Sequence, residues 1–218
     1  MKLRAVIFDL GGVVLGSPLH AIADYEREIG LPGNFVNRVV ADTAPDGAWS
    51  RLERGEIAMG TFYDDFEQDC RDAGWEISAR EMFQRMSVAA QPRPEMLRAI
   101  ARLRENHLRV GALTNNWAHA EDEATEGGEV AADDGTRALR ENFDVFVESS
   151  VEGLRKPDPR IYELTCERLQ IAPDEAAFLD DIGSNLKSAR ALGMTTIKVD
   201  TPAQALGELS AVLGIDLL

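Results

Sequence analysis

A chain of 218 residues is long enough to bury one full core, here read as a principal domain with a smaller insert. Its 38 acidic against 23 basic residues leave a net charge of −15, a field that repels polyanions and argues against nucleic acid or an anionic membrane surface as a partner. The two cysteines, Cys70 and Cys166, lie far apart and fit reduced thiols rather than a disulfide or zinc site, and no apolar run is long enough to span a bilayer, so the chain reads as soluble and cytoplasmic.

The first element is an apolar run from Leu3 that reads as a buried strand ending on Asp9, followed by Leu10, Gly11 and Gly12. Residues 16–92 then carry helical patterns near Pro18 to Ile29, Phe35 to Val40, Thr61 to Ala73 and Ala79 to Met86, without a convincing strand. This stretch is expected to be a helical cap domain that excludes water and shapes a pocket, inserted in a core domain of residues 1–15 and 93–218. A helix from about Glu95 to Asn106, with Met96, Ile100 and Leu103 on one face, leads into a strand at Val110 to Thr114. An acidic, glycine-containing stretch over 118–135 reads as a solvated loop. Strands at Val145 to Val147, Ala176 to Leu179 and Thr195 to Val199 then alternate with helices at Arg160 to Leu169, Asn185 to Leu192 and Gln204 to Leu213. Strand and helix alternating in this way predict an α/β fold, a Rossmann-like parallel sheet with helices on both faces.

In such sheets ligands bind beyond the carboxyl ends of the strands. Asp9, Thr114-Asn115-Asn116, Lys156-Pro157 and Asp180-Asp181 each follow a predicted strand, so one cleft could hold all of them. Taken singly these are ordinary turn or helix-cap residues. Together they have a chemistry. A carboxylate attacking phosphorus meets like-charge repulsion, and needs a cation and hydrogen-bond donors around the phosphoryl oxygens. Asp9 with Asp180 and Asp181 makes a hard-oxygen site suited to Mg2+. Lys156 can neutralise remaining charge, and the Thr114 hydroxyl can donate to a phosphoryl oxygen. His20, His107 and His119 have no mutual spacing that suggests a metal site, and Trp117 reads equally as a cleft wall or a packing residue.

The runs Phe8-Asp9-Leu10-Gly11-Gly12-Val13-Val14, Leu113-Thr114-Asn115-Asn116, Lys156-Pro157-Asp158-Pro159 and Phe178-Leu179-Asp180-Asp181-Ile182-Gly183-Ser184-Asn185 resemble the haloacid dehalogenase superfamily over nearly the whole chain. The segments Gly47 to Ile57 and Phe143 to Ser149 are similar to the branch holding the N-terminal phosphatase domain of soluble epoxide hydrolase and the N-terminal domain of acyl-CoA dehydrogenase family member ten. The resemblance implies that Asp9 is a nucleophile forming an aspartyl-phosphate, that Thr114 binds the phosphoryl group and that Lys156 stabilises the charge. It further implies a magnesium held by Asp9, Asp181 and the Gly11 carbonyl with Asp180 in support. Asn115 would lie beside a small phosphorylated substrate, with Gly11, Asn116 and Asn185 completing the binding set and Asn185 orienting the acidic motif.

One departure from the family pattern bears on rate. Its phosphatases usually carry a second Asp two places after the nucleophile, as acid to the leaving alcohol and base to the hydrolytic water, and here that place is Gly11. The expectation is therefore a magnesium-dependent phosphohydrolase, slowed by the missing side chain. The alternatives are an idle phosphate- and magnesium-binding regulatory domain, or a metal-independent 2-haloacid dehalogenase, which would have little use for Asp180-Asp181. A phosphorelay receiver would place its acidic pair first and its lysine last, the reverse of this order. A nicotinamide domain would want Gly-x-Gly-x-x-Gly after the first strand, which Gly11-Gly12 does not supply.

Overall fold

A computed structural model describes residues 3–117 and 138–218 of the chain; the whole of the predicted acidic loop, 118–135, with His119, lies outside the described residues. The sheet has five parallel strands, β1 (Ala5–Phe8), β2 (Arg109–Thr114), β3 (Val145–Glu148), β4 (Ala176–Asp180) and β5 (Thr195–Lys198), in the order β3-β2-β1-β4-β5. β1 is central: Ala5 pairs with Arg109 on one side and Ala176 on the other, and Phe8 with Ala112 and Leu179.

Successive side chains of a strand point to opposite faces, and β1 feeds two cores. Val6 and Phe8 pack with Met96, Ile100 and Leu103 of α6 (Pro94–Glu105) and Leu206 and Leu209 of α10 (Pro202–Leu213). Ala5 and Ile7 pack with Ile161, Tyr162 and Leu169 of α8 (Pro159–Leu169) and Leu186 of α9 (Gly183–Ala191). With both faces covered, the strands are apolar throughout rather than alternating, and each buried Leu, Ile or Phe contributes roughly 1.5–3 kcal/mol. The predicted α/β architecture is thus the observed one. The sequence reading began α6, α8 and α10 one or two residues late, because each starts on a proline, whose fixed φ and missing N–H suit the first helical turn.

Between β1 and α6 the chain forms α1 (Pro18–Glu28), α2 (Phe35–Thr43), α3 (Ala48–Glu53), α4 (Met59–Asp72) and α5 (Ala79–Ala89). They have a hydrophobic cluster of their own, built on Tyr25, Phe35, Trp49, Phe62, Phe66, Met82 and Phe83. Cys70 is buried in this cluster and Cys166, on α8, in the core between that helix and the sheet, both as free thiols. The six residues of α3 and the four of α7 (Ser149–Glu152) are too short for a periodicity to announce them, and both were missed. The connecting segments pair with each other: Leu15 bridges Pro92 antiparallel, Gly16 N–H donates to the Gln91 carbonyl at 2.9 Å, and Arg93 N–H to that of Val14 at 2.9 Å. Among the described residues no helix is long and apolar enough to cross a membrane.

Candidate active site

The carboxyl ends of β1, β2 and β4 are neighbours, so the fold brings Asp9, Thr114 and Asp180 to one rim. The ladder extends one residue past β1, with Asp9 N–H donating to the Leu179 carbonyl at 2.9 Å. The Asp9 side chain is fixed from two sides: Leu10 N–H donates to Oδ1 at 2.7 Å, and Lys156 Nζ stands 2.8 Å from the same oxygen. Lys156 is only 1% exposed, and its ammonium also lies 2.8 Å from Asp180 Oδ2.

Asp180 is fully buried, and its remaining acceptor capacity is used within the protein. Ile182 N–H donates to Oδ1 at 2.7 Å, and Asn185 Nδ2 reaches Oδ1 at 3.2 Å and Oδ2 at 3.0 Å. Tyr162 hydroxyl donates to the Asn185 carbonyl at 3.0 Å, tying α8 to the start of α9 beneath the site. Asp181 is half-buried. One oxygen each from Asp9, Asp180 and Asp181 can be chosen so that all three lie within 4.8 Å of one another.

Two carboxylates share one ammonium here with a third close by, and the proton affinities of Asp9 and Asp181 respond to that crowding. Burial, reinforced by the Asp180 charge, pushes Asp9 up to about 8 against the pull of Lys156. Burial and then Asp180 push Asp181 up to about 6. For Lys156 burial disfavours the charge, but Asp180 and Asp9 outweigh it and the ammonium is held above its ordinary value.

The glycine pair has a different task at each position. Gly12 has φ of +80°, and a Cβ there would fall 2.1 Å from Asp181 Oδ2, so only glycine lets the backbone pass beside that carboxylate. Gly11 has φ of −63°, and a Cβ there would meet the Pro18 ring at an ordinary 3.5 Å. The absence of a side chain at 11 is therefore not a steric requirement. Arg93 Nη1 donates to the Gly12 carbonyl at 2.9 Å and holds this turn from the returning segment.

The asparagines have partners within the protein. Asn115 grips the Lys156 backbone from both sides: Lys156 N–H donates to Oδ1 at 2.8 Å, and Nδ2 donates to the Lys156 carbonyl at 3.0 Å. Asn116 Nδ2 donates to Glu148 Oε1 at 2.7 Å, and Oδ1 accepts from the Ser150 hydroxyl at 3.0 Å. With Asn185 spent on Asp180, all three side chains are committed to the framework and serve to position others. Thr114 is buried at the end of β2, its hydroxyl making only a long 3.4 Å contact to the Asn115 carbonyl, and so remains available to a ligand. Trp117 packs on Phe83 and Trp49 at ring-centroid distances of 4.9 and 6.5 Å, joining the helical cluster. His20 and His107 are exposed.

Sequence reasoning gave no role to Arg93, Glu53 or Arg155. Arg155 adjoins Lys156, and Glu53 sits in a segment singled out for resemblance alone; only the tertiary structure shows that they meet, Arg155 Nε lying 2.6 Å from Glu53 Oε2.

A sequence model described as haloacid dehalogenase-like hydrolase matches residues 3–193. The chain belongs to this family. Among curated relatives it is 38% identical over 217 residues to acyl-CoA dehydrogenase family member 10 of Mus musculus, covering 98% of this chain and 19% of that protein. It is 36% identical over 227 residues to bifunctional epoxide hydrolase 2 of Sus scrofa, covering 100% and 40%. The chain thus spans less than half the length of these two. Phosphatase MT3486 of Mycobacterium tuberculosis (strain CDC 1551 / Oshkosh) is matched along most of both chains, 27% identical over 94% and 90%. A solved enzyme of the family from Bacteroides thetaiotaomicron, in complex with magnesium and inorganic phosphate, superposes with a TM-score of 0.61 at 20% identity over 90% and 94%. This is a hydrolase family, with phosphatases among the relatives.

Proposed function

We propose that this hydrolase is a magnesium-dependent phosphatase of a small phosphate ester, with Asp9 as nucleophile. The single observation that carries the reading is the close set of Asp9, Asp180 and Asp181, the first two buried and paired to one ammonium and the third half-buried beside them. Three crowded carboxylates, two with raised proton affinity, present hard oxygens and uncompensated charge, a donor set that fits Mg2+. Asp9 and Asp181 would hold the ion with the Gly11 carbonyl, while Asp180, its oxygens taken by Lys156, Asn185 and Ile182, serves as the anchor of Lys156. When bound, magnesium would offset the repulsion between the nucleophile and the phosphoryl oxygens.

The chain's own groups supply the rest. Lys156 and the Thr114 hydroxyl bind phosphoryl oxygens, and Leu10 N–H holds the Asp9 carboxylate in place. Asp9 forms a bond to phosphorus as the bond to the ester oxygen breaks; the departing alkoxide takes a proton from water, since Gly11 has none to give. Water then attacks the phosphorus of the aspartyl-phosphate, releasing inorganic phosphate and restoring Asp9. Residues 16–92 form the cap domain over this site and residues 1–15 with 93–218 the core domain, a division supported by the separate helical cluster and the paired connecting segments. The two free cysteines support a cytoplasmic setting.

A second reading, a phosphate- and magnesium-binding regulatory domain without turnover, is favoured by the missing side chain at 11. Phosphate release from aryl and acyl phosphates, with and without magnesium, for wild type and Asp9→Asn decides between them. The phosphatase reading expects release that needs both magnesium and Asp9; equal inactivity of the two proteins across the panel overturns it. The 2-haloacid dehalogenase reading has less support, because a metal-free reaction leaves the crowded triad without purpose.

A further inference from the structure

The helical unit touches the loop that carries Lys156 through one buried charged network. Glu53, the last residue of α3, is 6% exposed and accepts from Trp49 Nε1 at 2.9 Å. Its other oxygen, Oε2, lies 2.6 Å from Arg155 Nε and 3.4 Å from Asn115 Nδ2. Arg155 Nη1 donates to the Ser50 hydroxyl, one turn earlier on α3, at 2.9 Å. Arg155 therefore holds two residues of one helix, and its neighbour in sequence is the lysine between Asp9 and Asp180.

Asn115 closes the circuit, since the side chain that reaches Glu53 also clamps the N–H and carbonyl of Lys156. The approach is close elsewhere too: a Cβ on Gly55, just beyond α3, would fall 2.3 Å from the Ser150 carbonyl of α7. A carboxylate this buried is costly unless paired, and burial indeed raises the proton affinity of Glu53 against the opposing pull of Arg155. Withdrawing α3 from the core would leave Glu53, Arg155 and Asn115 each short of a partner. The ion pair is thus made only when the helical unit is seated, a contact of charge rather than of hydrogen-bond geometry, since Arg155 Nε finds no hydrogen-bond partner there.

We infer that Glu53 and Arg155 are positioning residues that make the placement of Lys156 depend on the seating of α3, so that the charge beside Asp9 is set only under a closed helical unit. The inference rests on the proposed phosphatase reading for its kinetic consequence, but its structural content stands apart from turnover. Lysine position matters because misplacement of a charged group by about 1 Å can cost on the order of a hundredfold in rate.

The test uses the full chain as wild type, Glu53→Gln, Ser50→Ala, Arg155→Lys and Arg155→Met. Glu53→Gln keeps the shape and removes the charge; Ser50→Ala is the mild variant should Glu53→Gln fold poorly. Peptide-resolved hydrogen exchange reads the Lys156 amide and α3, thermal melting reads global stability, and kcat and KM are measured on a small aryl phosphate with magnesium. The expected result is faster exchange at Lys156 and in α3, with melting little changed in Ser50→Ala and lowered in Glu53→Gln and Arg155→Met, which each strip one partner from the buried pair. It is accompanied by a fall in kcat of about ten- to a hundredfold with KM within about twofold, smaller for Arg155→Lys than for Arg155→Met. Exchange at Lys156 that stays at the wild-type rate in Glu53→Gln and Ser50→Ala overturns the inference, as does a loss of kcat that only tracks melting. If wild type shows no turnover, the phosphatase reading fails and the exchange comparison alone decides this one.

Discussion

Lys156 Nζ and Asp9 Oδ1 lie 2.8 Å apart with the lysine sealed from solvent, so the cation paired with Asp180 is also the counterion of Asp9. Under the proposed function the pair couples stability to chemistry, since the residue that neutralises the buried charge of the fold is the one proposed to neutralise a phosphoryl group.

Replacing that ammonium by an apolar chain of similar length should therefore cost both. Lys156→Met strands Asp9 and Asp180 in a buried site, and stripping one partner from a buried ion pair costs about 3–5 kcal/mol. In the wild-type fold Asp9 holds a proton up to about pH 8, against 3.8 unfolded, even with Lys156 pulling that value down, and loss of the lysine raises it further, so the Asp9 part of the deficit opens only as pH rises past about 8. Thermal melts of the variant should show a deficit that is nearly flat from pH about 5 to pH about 7 and widens above pH about 8; a deficit that does not widen there counts against the paired-charge account.

Magnesium and protons compete for the same oxygens. Asp9, at about 8, and Asp181, at about 6, are raised acids whose protonated forms favour the ion-free fold, so ion-free stability from these groups falls as pH climbs from 3.8 through those values. Binding must displace the protons, and apparent affinity should rise with pH by up to about tenfold per unit for each proton released, levelling above about pH 8. Melting-point shifts on magnesium addition across this range measure it, and a shift of equal size at every pH would contradict binding at Asp9 and Asp181.

The two glycines separate geometry from chemistry. At Gly12 an added methyl lands on Asp181 Oδ2, at a backbone conformation that costs an L-residue roughly 1–2 kcal/mol. Gly12→Ala should abolish most of the magnesium-induced melting shift, whereas Gly11→Ala, with ordinary contact to Pro18, should keep it. Equal effects from the two substitutions would remove the close approach of the turn to Asp181 as the explanation.

Space at position 11 also allows a restoration. Gly11→Asp puts back the proton donor that the family's phosphatases carry, and a positioned acid is worth on the order of a hundredfold or more. The gain in kcat should be large for alkyl phosphates, whose leaving groups need a proton, and small for nitrophenyl phosphate, whose leaving group does not. Steady-state kinetics on both esters checks this, and no gain on the alkyl ester would mean that Gly11 does not limit the rate.

Much of this site is legible in the chain because its parts sit where strand-helix alternation must put them. Asp9, Thr114 and Asp180 are at the ends of apolar runs, and a parallel sheet gathers such ends at one rim. Lys156, expected just beyond a strand, instead comes in after α7, and it was legible through the family-like run Lys156-Pro157-Asp158-Pro159. What periodicity could not show is which polar side chains face one another. Asn115 and Asn116 read as ligand contacts because they follow Thr114, but the partners that occupy them, Lys156 and Glu148, are distant along the chain. Glu53 and Arg155 are hidden for the same reason, each an ordinary charged residue until α3 is laid on the core. Helix α3 itself is under two turns long and owes its existence to Trp49 and Leu52 packing in the helical cluster rather than to its own repeat.

The two crossings between the helical unit and the sheet, at Leu15 and Pro92, run side by side and are joined by backbone hydrogen bonds. An insert whose two ends are already tied together imposes no span on its host. The intervening helices can therefore diverge, lengthen or be exchanged wholesale in a descendant gene while the surroundings of Asp9 are inherited unchanged, so that the rim of the sheet and the helical unit evolve as separable traits.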